Sequence, residues 1–211
     1  EFPVVGRQPP QLPPSTGLAR DAADLEIDLL FVKVRPQRLV VVGNTARHGK
    51  TGHSDQHSHG ADRYTAWIMC GIAGILYRDR ETPVDKDLLR AMTDVIRHRG
   101  PDGEGLHIGP GLGLGHRRLA IIDPATGQQP MLDPDTQNVI IYNGEVYNYV
   151  EIRKQLLAAG YHFRTDSDTE VILKAYAHWG EECLSRFNGM WAFALWDHAR
   201  QRLFLARDRL G

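Results

Sequence analysis

The chain has only two cysteines in 211 residues, Cys70 and Cys183. No disulfide framework is therefore implied, and a reducing cytoplasm is the simpler compartment. Surplus charge is missing too, since 25 basic residues against 26 acidic ones leave a formal net charge of −1. That gives no electrostatic footprint for nucleic acid or an anionic membrane. No apolar run approaches the roughly 20 residues of a membrane span. The first residues lack the basic, apolar and small-residue order of a secretory signal. They also lack a starting methionine, so the sequence is expected to be a fragment or a translated open frame.

What is present divides unevenly. Residues 1–68 open on the proline-rich QPPQLPPSTG, which suits an extended, solvated segment. Their apolar runs are DLEIDLLFVKV and RLVVV. The stretch GNTARHGKTGHSDQHSHGADR has no apolar periodicity, so it cannot bury enough surface to offset its ordering entropy. Most of this half is expected to be disordered or not natively part of the protein. RLVVVGNTARHGKT imitates a strand entering a phosphate-binding loop, but five residues, not four, separate Gly43 from Gly49. His48, His53, His57 and His59 form an imidazole-rich tract with no cysteine or carboxylate pattern to close a zinc site. No metal site is assigned.

From Met69 onward the pattern is regular. CGIAGILY reads as a strand. Asp85 caps a predicted helix with apolar Leu88, Leu89, Met92, Val95 and Ile96, ended by Gly100-Pro101. GLGLGHRRLAIID and NVIIY read as strands. Asn148 with Glu151, and Ser167 with Glu170, resemble capping boxes for two further helices, the first stopped by Gly160. MWAFALWD and RLFLARD read as paired strands. Strands outnumber helices and come in groups, which suggests sheets layered with helices.

Four places could carry chemistry. Cys70 is either a small buried hydrophobe or a nucleophile. If the chain began there, its α-amine, titrating near neutrality, would be a base tethered to the thiol. Asn143-Gly144 is either a hairpin turn or a pair of N–H donors for an oxyanion. If Arg117 and Arg118 point to opposite strand faces, one can be buried and one solvated; Arg118 is either a buried guanidinium that could grip a carboxylate or a surface arginine on an edge. Asp168 suits the first turn of a capped helix, and would also hold a carboxylate rigidly toward an ammonium group. Cys183 is read as core.

MCGIAGI, RHRGPDG, HRRLAIID, YNGEVYNY, SDTEVIL, NGMWAFALWD and ARDRLG, in that order, resemble the glutaminase domain of glutamine-dependent asparagine synthetases. The resemblance runs from Cys70 to Gly211. It implies an α+β fold, the four-layer αββα sandwich of N-terminal-nucleophile hydrolases. It implies Cys70 as nucleophile with its freed α-amine as base, and Asn143 and Gly144 as oxyanion hole. It implies Arg118 on the glutamine α-carboxylate, Glu145 and Asp168 on its α-amine, and the backbone of Leu119, Ala120, Ile121 and Ile122 along the pocket. The implied partners are L-glutamine and the synthetase domain of the same full-length chain, with a homodimer open and no nucleic acid or membrane. No cofactor is implied for this domain, whereas ATP and Mg2+ are implied for the synthetase domain, whose S-G-G-x-D-S loop this sequence lacks. The domain is expected to be truncated at its C-terminus. Residues 1–69 imply a start at Met69, a cleaved leader, or an inactive form. Two alternatives remain open: the amidotransferase domain of a related ligase, and a non-catalytic glutamine-binding or assembly module.

Overall fold

A computed structural model of the chain describes residues 70–209, apart from 121 and 124, and two strands before them, β1 (Leu30–Val32) and β2 (Arg38–Gly43). The phosphate-loop imitation after Gly43 and the four histidines lie outside the described residues. So does most of the segment expected to be disordered. Its two apolar runs, however, each contribute a strand.

Among the described residues, nine strands form two antiparallel sheets. One has the order β1-β2-β3-β5-β4, with β3 (Gly71–Tyr77), β4 (Gly103–Gly109) and β5 (Leu112–Arg118). The other has the order β6-β7-β8-β9, with β6 (Met131–Leu132), β7 (Val139–Val146), β8 (Gly189–Asp197) and β9 (Arg202–Arg207). Helix α1 (Lys86–Val95) packs on β3, β4 and β5, while α2 (Tyr149–Ala158) and α3 (Asp168–Trp179) cover the second sheet. This is the α+β, helix–sheet–sheet–helix order expected from the sequence.

Side-chain alternation along the strands sets these layers. Ile72, Leu112, Leu114, Val139, Ile141, Ala192, Ala194 and Trp196 meet between the sheets. Their strand neighbours Ile140, Tyr142, Trp191, Phe193 and Leu195 face the α2–α3 layer. Ile75 and Tyr77 meet Leu89 of α1 on the far face of the first sheet. The glycines of β5 let that helix approach. A Cβ on Gly113 would lie 2.8 Å from Val84 and 3.0 Å from Leu89, and one on Gly115 would run into Thr93 Oγ1.

The helix ends match expectation in part. Asp85 caps α1, accepting from the amides of Asp87 and Leu88. The helix stops at Val95 and tightens into a 3-10 turn at Arg97–Arg99, and Leu88 and Val95 point outward. Ser167 caps α3 by accepting from Thr169 N–H. The two capping boxes do not close. Asn148 makes no side-chain cap and instead joins α2 to the segment before β8, through Arg186 O and Asn188 N–H. Glu170 reaches past Ser167 to the amides of Arg164 and Thr165.

Candidate active site

Asn143 and Gly144 lie inside β7, paired with Ala192 and Trp191 of β8, so the hairpin alternative is excluded. The strand carries on because Gly144 takes φ +141°, which a side chain rarely adopts. A Cβ there would also meet the backbone of Met190 and Trp191. The two residues are therefore held by a full strand ladder.

Period-two alternation then brings three separate segments together. Cys70 falls on the same face as Ile72 of β3, Arg118 on the same face as Leu114 of β5, and Asn143 on the same face as Ile141 of β7. All three faces look between the sheets, and β3 and β5 pair with Gly71 opposite Arg117. The three residues thus reach one end of the inter-sheet layer. There a cleft of about 550 Å³, open mouth included, is lined by Cys70, Arg118, Asn143, Gly144, Glu145 and Asp168.

Arg117 and Arg118 do point to opposite faces, but both are buried, at 7% and 8% exposure. The face expected to be solvated is covered by α1. Arg117 Nε donates to Thr93 O at 3.2 Å, and its guanidinium pairs with Asp94 and Glu104. Arg118 Nη2 donates to Asp123 O at 2.6 Å, which fastens the loop after β5 beside the cleft.

The thiol of Cys70 is partly buried. Leu119 N–H donates to its Sγ at 3.2 Å, and the thiol donates to Leu119 O at 3.5 Å. Burial pushes the thiol up, against the opposing pull of the Leu119 amide and the Arg118 and Arg99 charges. It is therefore a protonated thiol at neutral pH and needs a base to become nucleophilic. Arg99, itself 9% exposed, donates from Nε to Cys70 O at 3.3 Å.

Asp168 opens α3 with its carboxylate in the cleft and is 4% exposed. Its Oδ2 accepts from Tyr142 O–H at 2.8 Å and from Val146 N–H at 3.2 Å. Burial pushes this carboxyl up and the nearby Glu145 adds to it, while those two donors pull the other way.

Of the expected backbone lining, Leu119 and Ile122 border the cleft. Ala120 turns its N–H to Asp102 Oδ2 at 2.9 Å, and Ile121 lies outside the described residues. Gly127, Gln129, Tyr142, Ser167 and Thr169 also border it and were not anticipated. Tyr142 could have been suspected from its place directly before Asn143. Gln129 sits in a loop that only tertiary folding brings to β7. Among the described residues, no three His, Cys, Asp or Glu side chains are grouped to hold a metal. No described helix is long and apolar enough to cross a membrane. Cys183 is fully buried in the α2–α3 layer, as core.

The chain is 44% identical over 145 residues to asparagine synthetase (glutamine-hydrolyzing) 1 of Bacillus subtilis, covering 68% of this chain and 23% of that protein. It is 38% identical over 143 residues to asparagine synthetase (glutamine-hydrolyzing) 1 of Lotus japonicus, covering 68% and 24%. The chain thus spans about a quarter of the length of these relatives. A solved glutamine phosphoribosylpyrophosphate amidotransferase from B. subtilis aligns with a TM-score of 0.39 and 26% identity, over 48% of this chain and 24% of that one. The family model for the glutamine amidotransferase domain matches residues 69–211. Through those residues, the chain belongs to the glutamine amidotransferase domain family.

Proposed function

We propose that the domain from Cys70 onward hydrolyses the side-chain amide of L-glutamine through a thioester on Cys70. The observation that carries this reading is the convergence of Cys70, Arg118, Asn143-Gly144 and Asp168 on one cleft from four separate elements. The Cys70 α-amine, once free, takes the thiol proton, and the thiolate attacks the amide carbon. The Asn143 side-chain N–H and the Gly144 backbone N–H receive the oxyanion. The protonated amine then returns its proton to the leaving nitrogen, and ammonia departs. A water, deprotonated by the same amine, attacks the thioester carbonyl and releases glutamate, restoring the thiol. Arg118 holds the substrate α-carboxylate through charge-assisted hydrogen bonds. Glu145 and Asp168 hold its α-ammonium, and the backbone of residues 119–122 borders it.

The named relatives carry the proposal further. The ammonia serves amidation of aspartate to asparagine in a synthetase domain of the same full-length chain, where ATP and Mg2+ act. No residue of the described domain is assigned to either. A cytoplasmic location fits the two free cysteines.

A second reading, a non-catalytic glutamine-binding module, is favoured by one feature. Strand β2 pairs along β3 as far as Gly43 opposite Ile72, so a segment before Cys70 shares its sheet. An acylated Cys70 nitrogen is no base. Intact-mass analysis and N-terminal sequencing of protein from the native gene, with ammonia release from glutamine, separate the two readings. The enzyme reading expects chains that start at Cys70 and release ammonia. Unprocessed, inert chains that still bind glutamine support the module.

A further inference from the structure

Tyr142 makes three hydrogen bonds to three different parts of the chain. Its O–H donates to Asp168 Oδ2 at 2.8 Å at the start of α3. Its N–H donates to Gln129 Oε1 at 2.6 Å, and its carbonyl accepts from His116 Nε2 of β5 at 3.1 Å. Gln129 continues the chain of contacts, donating from Nε2 to Thr169 Oγ1 at 3.3 Å. Because Thr169 follows Asp168, the bonds close a ring: Tyr142, Gln129, Thr169, Asp168 and back to Tyr142. That ring joins β7, the loop before β6 and the first turn of α3, and it borders the cleft. Asn143 and Gly144 follow Tyr142 in the same strand.

We propose that Tyr142 is the positioning residue for recognition of the substrate α-ammonium: its hydroxyl aims and fixes the Asp168 carboxylate, and Gln129 fixes Tyr142. The proposal rests on the glutaminase reading for the identity of the ligand. Its physical basis is that a carboxylate with two rotamer degrees of freedom contacts an ammonium well only if one oxygen is already held. Here Tyr142 and Val146 hold Oδ2. The hydroxyl also selects the charge state. Burial favours the neutral acid, and Tyr142 is the foremost group drawing Asp168 back toward the carboxylate. The groups facing it across the cleft are Glu145 of β7, which opposes ionisation, the Cys70 thiol, and the Arg118 guanidinium of β5. Removing the hydroxyl therefore raises the pH below which Asp168 turns neutral and stops attracting an ammonium.

Calorimetric binding to the full chain carrying C70A tests this without turnover. The probes are L-glutamine and glutaramate, which is the same molecule without the α-amine, titrated from pH 4 to 8. Adding Tyr142→Phe is expected to weaken L-glutamine by about 10-fold or more and leave glutaramate nearly unchanged. The acid loss of glutamine binding is expected to move to higher pH. Gln129→Met, which keeps size but breaks the ring, is expected to act in the same direction with smaller effect. It carries the test if Tyr142→Phe does not fold. Equal weakening of both ligands, or unchanged binding with an unmoved pH midpoint, overturns the proposal. A chain that binds neither ligand overturns both this proposal and the reading it rests on. Discriminating binding with no ammonia release by the Cys70 enzyme removes the chemistry but leaves the role of Tyr142 standing.

Discussion

Replacing Gly144 with alanine puts one methyl group where β7 has no room for it. The new Cβ would stand 2.5 Å from Trp191 Cα and 2.9 Å from Trp191 Cβ, with Met190 O nearer still. Ordinary contact begins at 3.4 Å, so β8 must retreat by about 1 Å, and its atoms here are largely backbone. Overpacking of this kind costs about 1–3 kcal/mol, and the φ of +141° adds about 1–3 kcal/mol for a non-glycine residue. A total of about 3 kcal/mol lowers the melting temperature by about 10 °C in a domain of this size. Gly160→Ala is the control. It also has positive φ, +91°, but nothing lies within 4 Å of its Cβ, so it carries backbone strain alone. Differential scanning fluorimetry of both variants separates the terms. Ammonia release should fall by about 10²–10³ in Gly144→Ala, since parting β7 from β8 misplaces the proposed oxyanion donor. If Gly144→Ala melts like Gly160→Ala and turns over glutamine normally, the strand-bound oxyanion site is refuted.

Three other perturbations follow from the same geometry. Arg118→Ala should raise the Michaelis constant for glutamine by about 10-fold or more, with a smaller change in kcat, and an unchanged constant removes Arg118 from the pocket. His116 is fully buried between the sheets, and burial holds it down to about 4 from an ordinary 6.5. A depressed folded value means stability is complete above pH 6.5 and declines as pH falls to 4, by about 3 kcal/mol. Chemical denaturation at stepped pH should show this, and His116→Gln should flatten that part of the profile. Lys174 Nζ meets Asp133 at 2.8 Å and Asp135 at 2.7 Å, with Asp133 only 2% exposed. Burial alone would lower this ammonium, but the two carboxylates overturn that and leave it raised. Lys174→Met strands the Asp133 charge and should cost about 3 kcal/mol in urea unfolding, part of it regained by adding Asp133→Asn.

The site residues were named through the resemblance, and strand alternation explains how they come to share one face. The parity that places Ile72, Leu114 and Ile141 between the sheets also places Cys70, Arg118 and Asn143 there. What alternation does not show is what covers a face. One arginine of the Arg117-Arg118 pair was expected to be solvated because nothing in HRRLAIID says that α1 lies over the Arg117 face. Asn143-Gly144 looked like a turn because the dipeptide is compatible with positive φ wherever it occurs, and only pairing with β8 decides its place. The capping residues were right in kind at Asp85 and Ser167, but Asn148 and Glu170 found better partners at a distance. Gln129 had no local signal at all. Its side chain meets a strand 13 residues away and a helix 40 residues away.

In the proposed mechanism Cys70 gains its base only when its own nitrogen is unacylated. The most direct measurement compares two preparations of the same sequence, one starting at Cys70 and one retaining residues 1–69, for ammonia released from L-glutamine. Turnover is expected from the first and none above background from the second, with both binding glutamine. Equal turnover by the unprocessed chain, its intact mass verified after the assay, contradicts that mechanism.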